Sequence, residues 1–168
     1  MKSFNPAFVD QTTFGYGRGN CWSACIASLL GLPVEDVPNF CSDEHVGQHG
    51  NWLLATQKWL AELGFGCLLL DLTILPDGCI PHHLSGWVIA SGRSSRWTED
   101  EPLDHCVVCR VSRDAKGELW WEWAHDPHPS REWIAGPVKD VFVITVPAPP
   151  GQPGEPEEPA MHRLISPA

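Results

Sequence analysis

A glycine-rich loop runs directly into an apolar helical segment, and a cysteine stands at the junction. The segment is GNCWSACIASLLGLP, residues 19–33. Its apolar residues leave few polar positions, so we expect a helix over residues 21–30 that is buried on nearly every side. Gly31 and Pro33 form a normal C-terminal stop. The rest of the chain must therefore pack around this helix.

The junction cysteine, Cys21, is where the sequence would best stabilise an ionised thiol. The first turn of a helix has unpaired backbone N–H groups and roughly half a positive charge, which together lower a thiol pKa. Cys25 shares the same face one turn later, among apolar neighbours that raise a thiol pKa. Cys21 is thus the candidate nucleophile and Cys25 a small core residue. Considered alone, Cys21 is more typical of a buried structural thiol than of a nucleophile. A catalytic role therefore depends on whether the chain also supplies a base, an orienting group and an oxyanion donor.

Composition narrows the class of protein. At 168 residues we expect one domain over residues 1–146, followed by a disordered tail rich in proline and glutamate over residues 147–168. A net charge of −10 argues against nucleic acid as a partner. Seven cysteines, no apparent export signal and no membrane-length apolar window predict reduced thiols in a cytoplasmic, monomeric protein that does not bind membranes.

Helical patterns precede strand patterns, so the predicted fold class is α+β. A short helical turn is expected over 33–38, a polar loop over 39–50 and a second helix over 51–63. Strands are expected over 65–70, 87–91, 103–111, 118–125 and 141–146, mostly antiparallel, with loops over 71–84 and 92–102. A tight hairpin turn is expected over 113–117, with glycine at its end.

A base for Cys21 is suggested by His105, which begins an apolar strand where a solvated histidine is unexpected. Counting outward from the hairpin turn places its partner near residue 125. Asp126 lies there, ahead of a proline, and could orient the imidazole. The register is uncertain by a residue or two, so His125 remains a rival for either role.

The remaining candidates concern the oxyanion and the substrate. The backbone N–H of Cys21 and the side-chain amide of Gln11, upstream of the glycine turn, are the expected oxyanion donors. Asn20 is expected to cap the helix. We also assign Asn20, Trp22 and Trp97 to substrate binding, since some of the nine tryptophans should line a cleft.

The order Gln, Gly-Asn-Cys, His and Asp-Pro resembles the papain-like cysteine peptidase fold, and most of all the bacteriocin-leader peptidases of bacterial transporters. The motifs GNCxxACxASLLGL and HDPHPSR are similar to those of small uncharacterised proteins from bacteriophage and bacterial genomes. The resemblance covers about residues 9–146. It implies an N-terminal helical lobe, with its Cys-bearing helix packed on an antiparallel sheet. It also implies a Cys21–His105–Asp126 triad with Gln11 as oxyanion donor, and no cofactor.

The function expected from these residues is a thiol-dependent acyl hydrolase, most simply a peptidase or isopeptidase acting on a peptide or protein. One departure from the leader peptidases is Trp22, where they usually have glycine. An alternative is an inactive binding module on the same fold that captures a peptide or host protein. A zinc site at Cys106 and Cys109 is disfavoured, because strand residues three apart face opposite sides. Cys41, His45 and His49 could bind a metal only if residues 41–49 were helical, and Gly47 and Gly50 argue against that.

Overall fold

The computed structural model describes residues 5–74 and 84–145. Over these residues the class is α+β, with a five-stranded sheet in the order β1-β5-β2-β3-β4, in which every neighbouring pair is antiparallel. The helices are α1 (Cys21–Leu30), α2 (Asp43–His49) and α3 (Trp52–Glu62), with a 3-10 turn at Val34–Asp36. The strands are β1 (Gly66–Asp71), β2 (Gly86–Ser94), β3 (Asp104–Arg113), β4 (Leu119–His125) and β5 (Ile134–Thr145).

Helix α1 is the buried centre that its sequence predicts. Its residues from Trp22 to Leu29 are all buried, and it ends at Gly31, whose φ of 68° is in the left-handed region that favours glycine. The hydroxyl groups of its two serines form hydrogen bonds with neighbouring segments of the chain. Ser23 donates to the Pro38 carbonyl at 2.7 Å, and Ser28 accepts from the Val9 N–H at 3.0 Å. A helix with no solvent face can therefore be buried without leaving these polar groups unpaired.

The sheet has an apolar layer on each face. On one face Ile89, Val108 and Phe142 pack against α1 and α3. The other face carries a separate cluster that includes Val107 and Cys109. Because neighbouring strand residues alternate in direction, Cys106 faces α1 and Cys109 faces the opposite layer, as the argument against a zinc site requires.

The polar loop predicted over residues 39–50 is wrong in part, because residues 43–49 form helix α2. The Ser42 side chain caps it by accepting from the His45 N–H at 3.2 Å. Asp43 and Glu44 lie in the first turn, where their negative charges interact favourably with the positive end of the helix dipole. Gly47 is tolerated inside the helix, so the local capping groups outweigh its poor propensity.

Strands β2 and β5 are longer than predicted. β5 begins at Ile134 rather than 141, and β2 continues to Ser94 into the predicted loop 92–102. The added residues pair with each other, Ser94 with Ile134 and Gly92 with Val138, through shifts of register. Gly136 and Pro137 interrupt the apolar alternation there, which hides the strand from a reading of the sequence.

Two predictions concern residues that are not described. The loop over 71–84 lies mostly outside the described residues, and so does the whole tail over 147–168. Among the helices of the two described ranges, none has both the length and the apolar character required to cross a membrane.

Candidate active site

The centre of the site is a buried pair between His105 and Asp126. The His105 Nε2–H donates to Asp126 Oδ1 at 2.7 Å, and the two residues are 2% and 0% exposed. Since Nε2 is committed to the carboxylate, Nδ1 is the ring nitrogen left for Cys21. His105 lies close enough to Cys21 to lower the pKa of the thiol, and Cys21 in turn raises the pKa of His105. The structure therefore brings together the three residues that the sequence singles out.

The predicted pairing of residue 105 with residue 125 is wrong. His105 is opposite Gly92 of β2, and His125 is opposite Val108. Arg113 pairs with Leu119, and a register shift follows between Val108 and Cys109, so the β3–β4 pairing is displaced by three residues in all. Asp126 still reaches His105 because the chain turns back directly after β4.

The turn that follows β4 holds the Asp126 carboxylate. Its Oδ1 accepts from the His128 N–H at 2.8 Å and its Oδ2 from the Trp133 N–H at 2.7 Å. Arg131 and Trp133 have φ angles of 52° and 62°, a conformation that costs free energy in residues other than glycine. Arg131 also donates to both Asp10 oxygens, at 2.6 and 2.9 Å. The HDPHPSREW segment thus wraps around one carboxylate.

These contacts favour the ionised forms of both residues, a carboxylate at Asp126 and an imidazolium at His105. Burial opposes ionisation of Asp126, but hydrogen bonds from His105, His128 and Trp133 outweigh it and lower the pKa of Asp126 to about 2. Burial likewise works to lower the pKa of His105. The hydrogen bonds and charges of Asp126 and Cys21 prevail and raise that pKa to about 9. At neutral pH the pair is an imidazolium and a carboxylate.

Cys21 is the thiol that ionises. A hydrogen bond from the Cys106 thiol is the largest influence, and it lowers the pKa of Cys21 well below the usual value. Burial acts in the opposite direction, and the His105 hydrogen bond and charge lower the pKa further. Burial raises the pKa of Cys25 well above its usual value, with the charge of Cys21 adding to the effect. The pKa values of the two thiols thus shift in opposite directions, downward for Cys21 and upward for Cys25.

Gln11 lies at the site, but its side-chain amide already forms a hydrogen bond. It is 7% exposed and lines the cleft, and its backbone N–H donates to the Pro127 carbonyl at 2.9 Å. Its side-chain Nε2 donates to the Thr13 carbonyl at 2.9 Å, while Oε1 is buried without a partner. An amide nitrogen has two N–H bonds, so one remains for an oxyanion.

Asn20 does not cap α1 with its side chain as predicted. Its Oδ1 accepts from the N–H groups of Thr12 and Thr13, both at 3.0 Å, and its Nδ2 donates to Thr12 Oγ1 at 3.0 Å. The side chain therefore fixes the segment next to Gln11 and leaves the first turn of α1 without a side-chain cap. The Asn20 side chain forms its hydrogen bonds within the fold, and Asn20 does not line the cleft.

The two tryptophans assigned to substrate binding differ in position. Trp22 borders the cleft but is 1% exposed, with its Nε1–H donating to Thr56 Oγ1 at 3.0 Å and its ring 4.4 Å from that of Phe142. It is a core residue at the cleft floor. Trp97 lies outside the cleft lining and stacks under the Arg93 guanidinium at 3.8 Å.

His125, the rival base, is turned away from Cys21. Its Nε2–H donates to the Val9 carbonyl at 2.9 Å, and its ring stacks on Phe8 at 5.0 Å. It anchors the extended N-terminal segment that leads to Gln11. His105 is thus the only histidine of the two that faces the thiol.

Cys21 and His105 open into a cleft of about 430 Å³. The glycine-rich loop forms one wall, and the segment 101–104 together with Arg96 forms another. Two glycines of the loop have positive φ, Gly15 at 95° and Gly17 at 66°, so the loop can turn tightly beside the thiol. Two polar residues of the cleft lining are bonded to each other, since Ser91 Oγ donates to Asp140 Oδ2 at 2.8 Å.

Cys106 was missed as a member of the site. No sequence signal identifies it, because adjacent residues on a strand point to opposite faces and Cys106 would be expected to face away from His105. Residues 5–74 and 84–145 contain no group of three His, Cys, Asp or Glu side chains arranged to hold a metal ion. Comparison with protein-family models, with curated proteins and with solved structures finds no match to this chain.

Proposed function

We propose that this protein is a cysteine-nucleophile acyl hydrolase, most simply a peptidase or isopeptidase, with the papain-like arrangement of a Cys-bearing helix packed on a sheet that carries the histidine. The observation that supports it best is His105 held between Cys21 and Asp126. A thiolate, an imidazolium and an orienting carboxylate in this order are the parts that thiol acyl transfer needs.

In the proposed reaction, the Cys21 thiolate attacks the acyl carbon of a peptide or isopeptide bond. The Cys21 N–H and one N–H of the Gln11 amide bind the oxyanion of the tetrahedral intermediate. His105 gives its Nδ1 proton to the leaving amine, which leaves a thioester on Cys21. His105 then takes a proton from water, and the resulting attack releases the acid and restores the thiolate.

Asp126 contributes by holding His105 rather than by touching substrate. With both carboxylate oxygens engaged by the 126–133 turn, the imidazole has a fixed orientation and a raised pKa. It can therefore stay protonated until the amine leaves. This division of roles explains why a carboxylate is fully buried beside a site that opens to solvent.

The test is acyl-enzyme formation from an activated ester, which needs no knowledge of the natural substrate. The full chain is mixed with p-nitrophenyl acetate, and we expect one equivalent of nitrophenolate in a burst, with the acetyl mass on Cys21. Cys25→Ala is the matched control and keeps the burst, whereas Cys21→Ala loses it. Cleavage of a quenched-fluorescence peptide library then defines the bond.

A burst that persists in Cys21→Ala would refute the assignment of the nucleophile. A folded wild-type protein that gives no burst, but binds peptides from the same library, would favour the inactive binding module instead. The fluorescence anisotropy of labelled library peptides separates that outcome from a protein that does neither.

A further inference from the structure

A second thiol, Cys106, lies against Cys21, and the proposed acyl transfer does not use it. Cys106 follows His105 on β3, with its side chain on the sheet face that packs against α1. It lines the same cleft as Cys21. Its thiol has the largest effect in lowering the pKa of Cys21, and its backbone N–H adds to that effect, so both groups lie near the Cys21 sulfur. The two sulfur atoms are therefore neighbours on two elements that pack directly together.

The other thiols nearby are placed differently. Cys25 is one turn deeper in α1 and fully buried, and Cys41 is half-buried in the cleft lining. The charge of Cys21 raises the pKa of both thiols, but neither of them lowers the pKa of Cys21 as the Cys106 thiol does. Among the cysteines of residues 5–74 and 84–145, Cys106 is therefore the thiol that acts on the Cys21 sulfur.

We propose that Cys21 and Cys106 form a peroxide-responsive dithiol, in which Cys21 is the oxidised sulfur and Cys106 resolves it to an intramolecular disulfide. An accessible thiolate beside a second thiol is the arrangement found where cysteine oxidation is reversible. The cleft admits a hydroperoxide as the oxidant. This oxidation needs the two thiols and His105, and it does not require cleavage of an acyl substrate.

The first step breaks the O–O bond of a hydroperoxide. The Cys21 thiolate attacks one peroxide oxygen and becomes a sulfenic acid. The other oxygen leaves as an alcohol, or as water from hydrogen peroxide, with the proton given up by the His105 imidazolium. Sulfur loses the two electrons that the peroxide gains, and His105 is left neutral.

The second step forms the sulfur–sulfur bond. Neutral His105 takes the thiol proton of Cys106, whose sulfur attacks the Cys21 sulfur and breaks its S–O bond. The hydroxide leaves as water with that same proton. Two thiols and one hydroperoxide become one disulfide, one alcohol and one water, and a dithiol reductant reverses the change. While it lasts, the disulfide removes the nucleophile.

The experiment treats the full chain with hydrogen peroxide, blocks free thiols with N-ethylmaleimide and maps the peptides without reduction. Fragmentation separates Cys106 from Cys109, which share a tryptic peptide. We expect a Cys21–Cys106 linkage, and full recovery of rapid Cys21 alkylation after dithiothreitol. Cys106→Ser should oxidise onward to sulfinic and sulfonic acid, so that recovery falls at least about tenfold. Cys41→Ser should behave as wild type.

Two results would overturn the proposal. One is a linkage of Cys21 to Cys25 or Cys41 in place of Cys106. The other is a Cys106→Ser protein that recovers as completely as wild type. Thermal unfolding of each variant checks the fold, and Cys106→Ala serves as a second variant if the serine disturbs it. Since the readouts are masses and alkylation rates, a protein with no hydrolase activity could still pass this test.

Discussion

His105 Nε2 and Asp126 Oδ1 are 2.7 Å apart in a part of the protein that solvent does not reach. His105 lies on β3 and Asp126 lies in the turn that follows β4, 21 residues apart in sequence. The carboxylate is held by two backbone N–H groups as well, so the imidazole has little freedom to rotate. Its other nitrogen is left for the thiol at the start of the buried helix, so the reactivity of Cys21 depends on the buried His105–Asp126 pair.

Replacing the nucleophile should abolish thiol reactivity without disturbing the fold. Cys21→Ala should remove the fast phase of iodoacetamide alkylation at pH 7, since the ionised thiol is Cys21. Its free energy of unfolding should change by less than about 1 kcal/mol, because Cys21 is only partly buried. Cys25→Ala is the matched control and should keep the fast phase. Rapid alkylation that survives in Cys21→Ala would show that another thiol is the reactive one.

The pH dependence of alkylation should report the ion pair. In the wild type the alkylation rate should reach half its maximum well below pH 9.0, the ordinary thiol value. In His105→Ala the midpoint should move upward, because the cation and its hydrogen bond are gone while burial remains. Hydrolysis, which also needs the imidazolium, should decline above about pH 9. An unchanged midpoint in His105→Ala would contradict the coupling.

Asp126→Asn should lower stability and change its pH dependence. An amide puts an N–H against one of the backbone N–H donors, so we expect a loss of about 1–3 kcal/mol in unfolding free energy. In the wild type the raised His105 pKa gives stability that is complete below pH 6.5 and is lost as the pH rises through about 9. The lowered Asp126 pKa gives stability present above pH 3.8 and lost as the pH falls through about 2.

Urea unfolding of wild type and Asp126→Asn across this pH range is the measurement. The variant should lose the part of the acid-side dependence that Asp126 supplies and part of the alkaline dependence, whereas Asp71 and Glu132, whose pKa values are also lowered, keep their contributions. Asp104→Asn is a suitable control, because Asp104 is exposed and paired with Lys139 outside the buried pair. Parallel pH curves for wild type and Asp126→Asn would show that the pair does not couple to folding.

The helix that carries Cys21 could be predicted from the sequence with its bounds, because a continuous apolar run ending in Gly31 has few alternatives. Helix α3 and the α+β class follow from the same kind of periodic pattern. Helix α2 could not be predicted, because Gly47 lowers the helix propensity of a short segment. A capping residue such as Ser42 does not establish a helix by itself. The early part of β5 is hidden for a related reason, because Gly136 and Pro137 break the alternation.

The site was harder to predict than the helix because it depends on register. Counting outward from the hairpin turn brought Asp126 near His105, although the predicted pairing of residue 105 with residue 125 was wrong. The register shift beside Val108 has no sequence signature. The roles of Asn20 and Cys106 depend on contacts with Thr12 and Cys21 that only the folded chain creates. Residue chemistry selected the candidates, and tertiary geometry determined what each of them contacts.

Gly92 stands opposite His105 across the β2–β3 pair, and its missing side chain is required for close packing. A Cβ at this position would lie 2.5 Å from Ile134 Cγ2 and 3.0 Å from the Pro137 carbonyl oxygen. Gly92→Ala should therefore destabilise the protein by about 1–3 kcal/mol and slow alkylation of Cys21. Gly47→Ala in helix α2 has open space and should stabilise by about 0.5–1 kcal/mol. Thermal and urea unfolding measure both, and equal effects would contradict the packing.

Gln11→Ala separates stabilisation of the oxyanion from activation of the thiol. Alkylation by iodoacetamide forms no oxyanion, so its rate at pH 7 should change by less than about threefold. Acylation by p-nitrophenyl acetate passes through a tetrahedral oxyanion, so loss of one donor should slow the burst by about 10²–10³-fold. Thr13→Ala keeps the backbone carbonyl that holds the Gln11 amide and is the matched control. Equal slowing of both reactions in Gln11→Ala would mean that Gln11 supports the site only through packing, because a shared loss cannot come from an oxyanion that only one reaction forms.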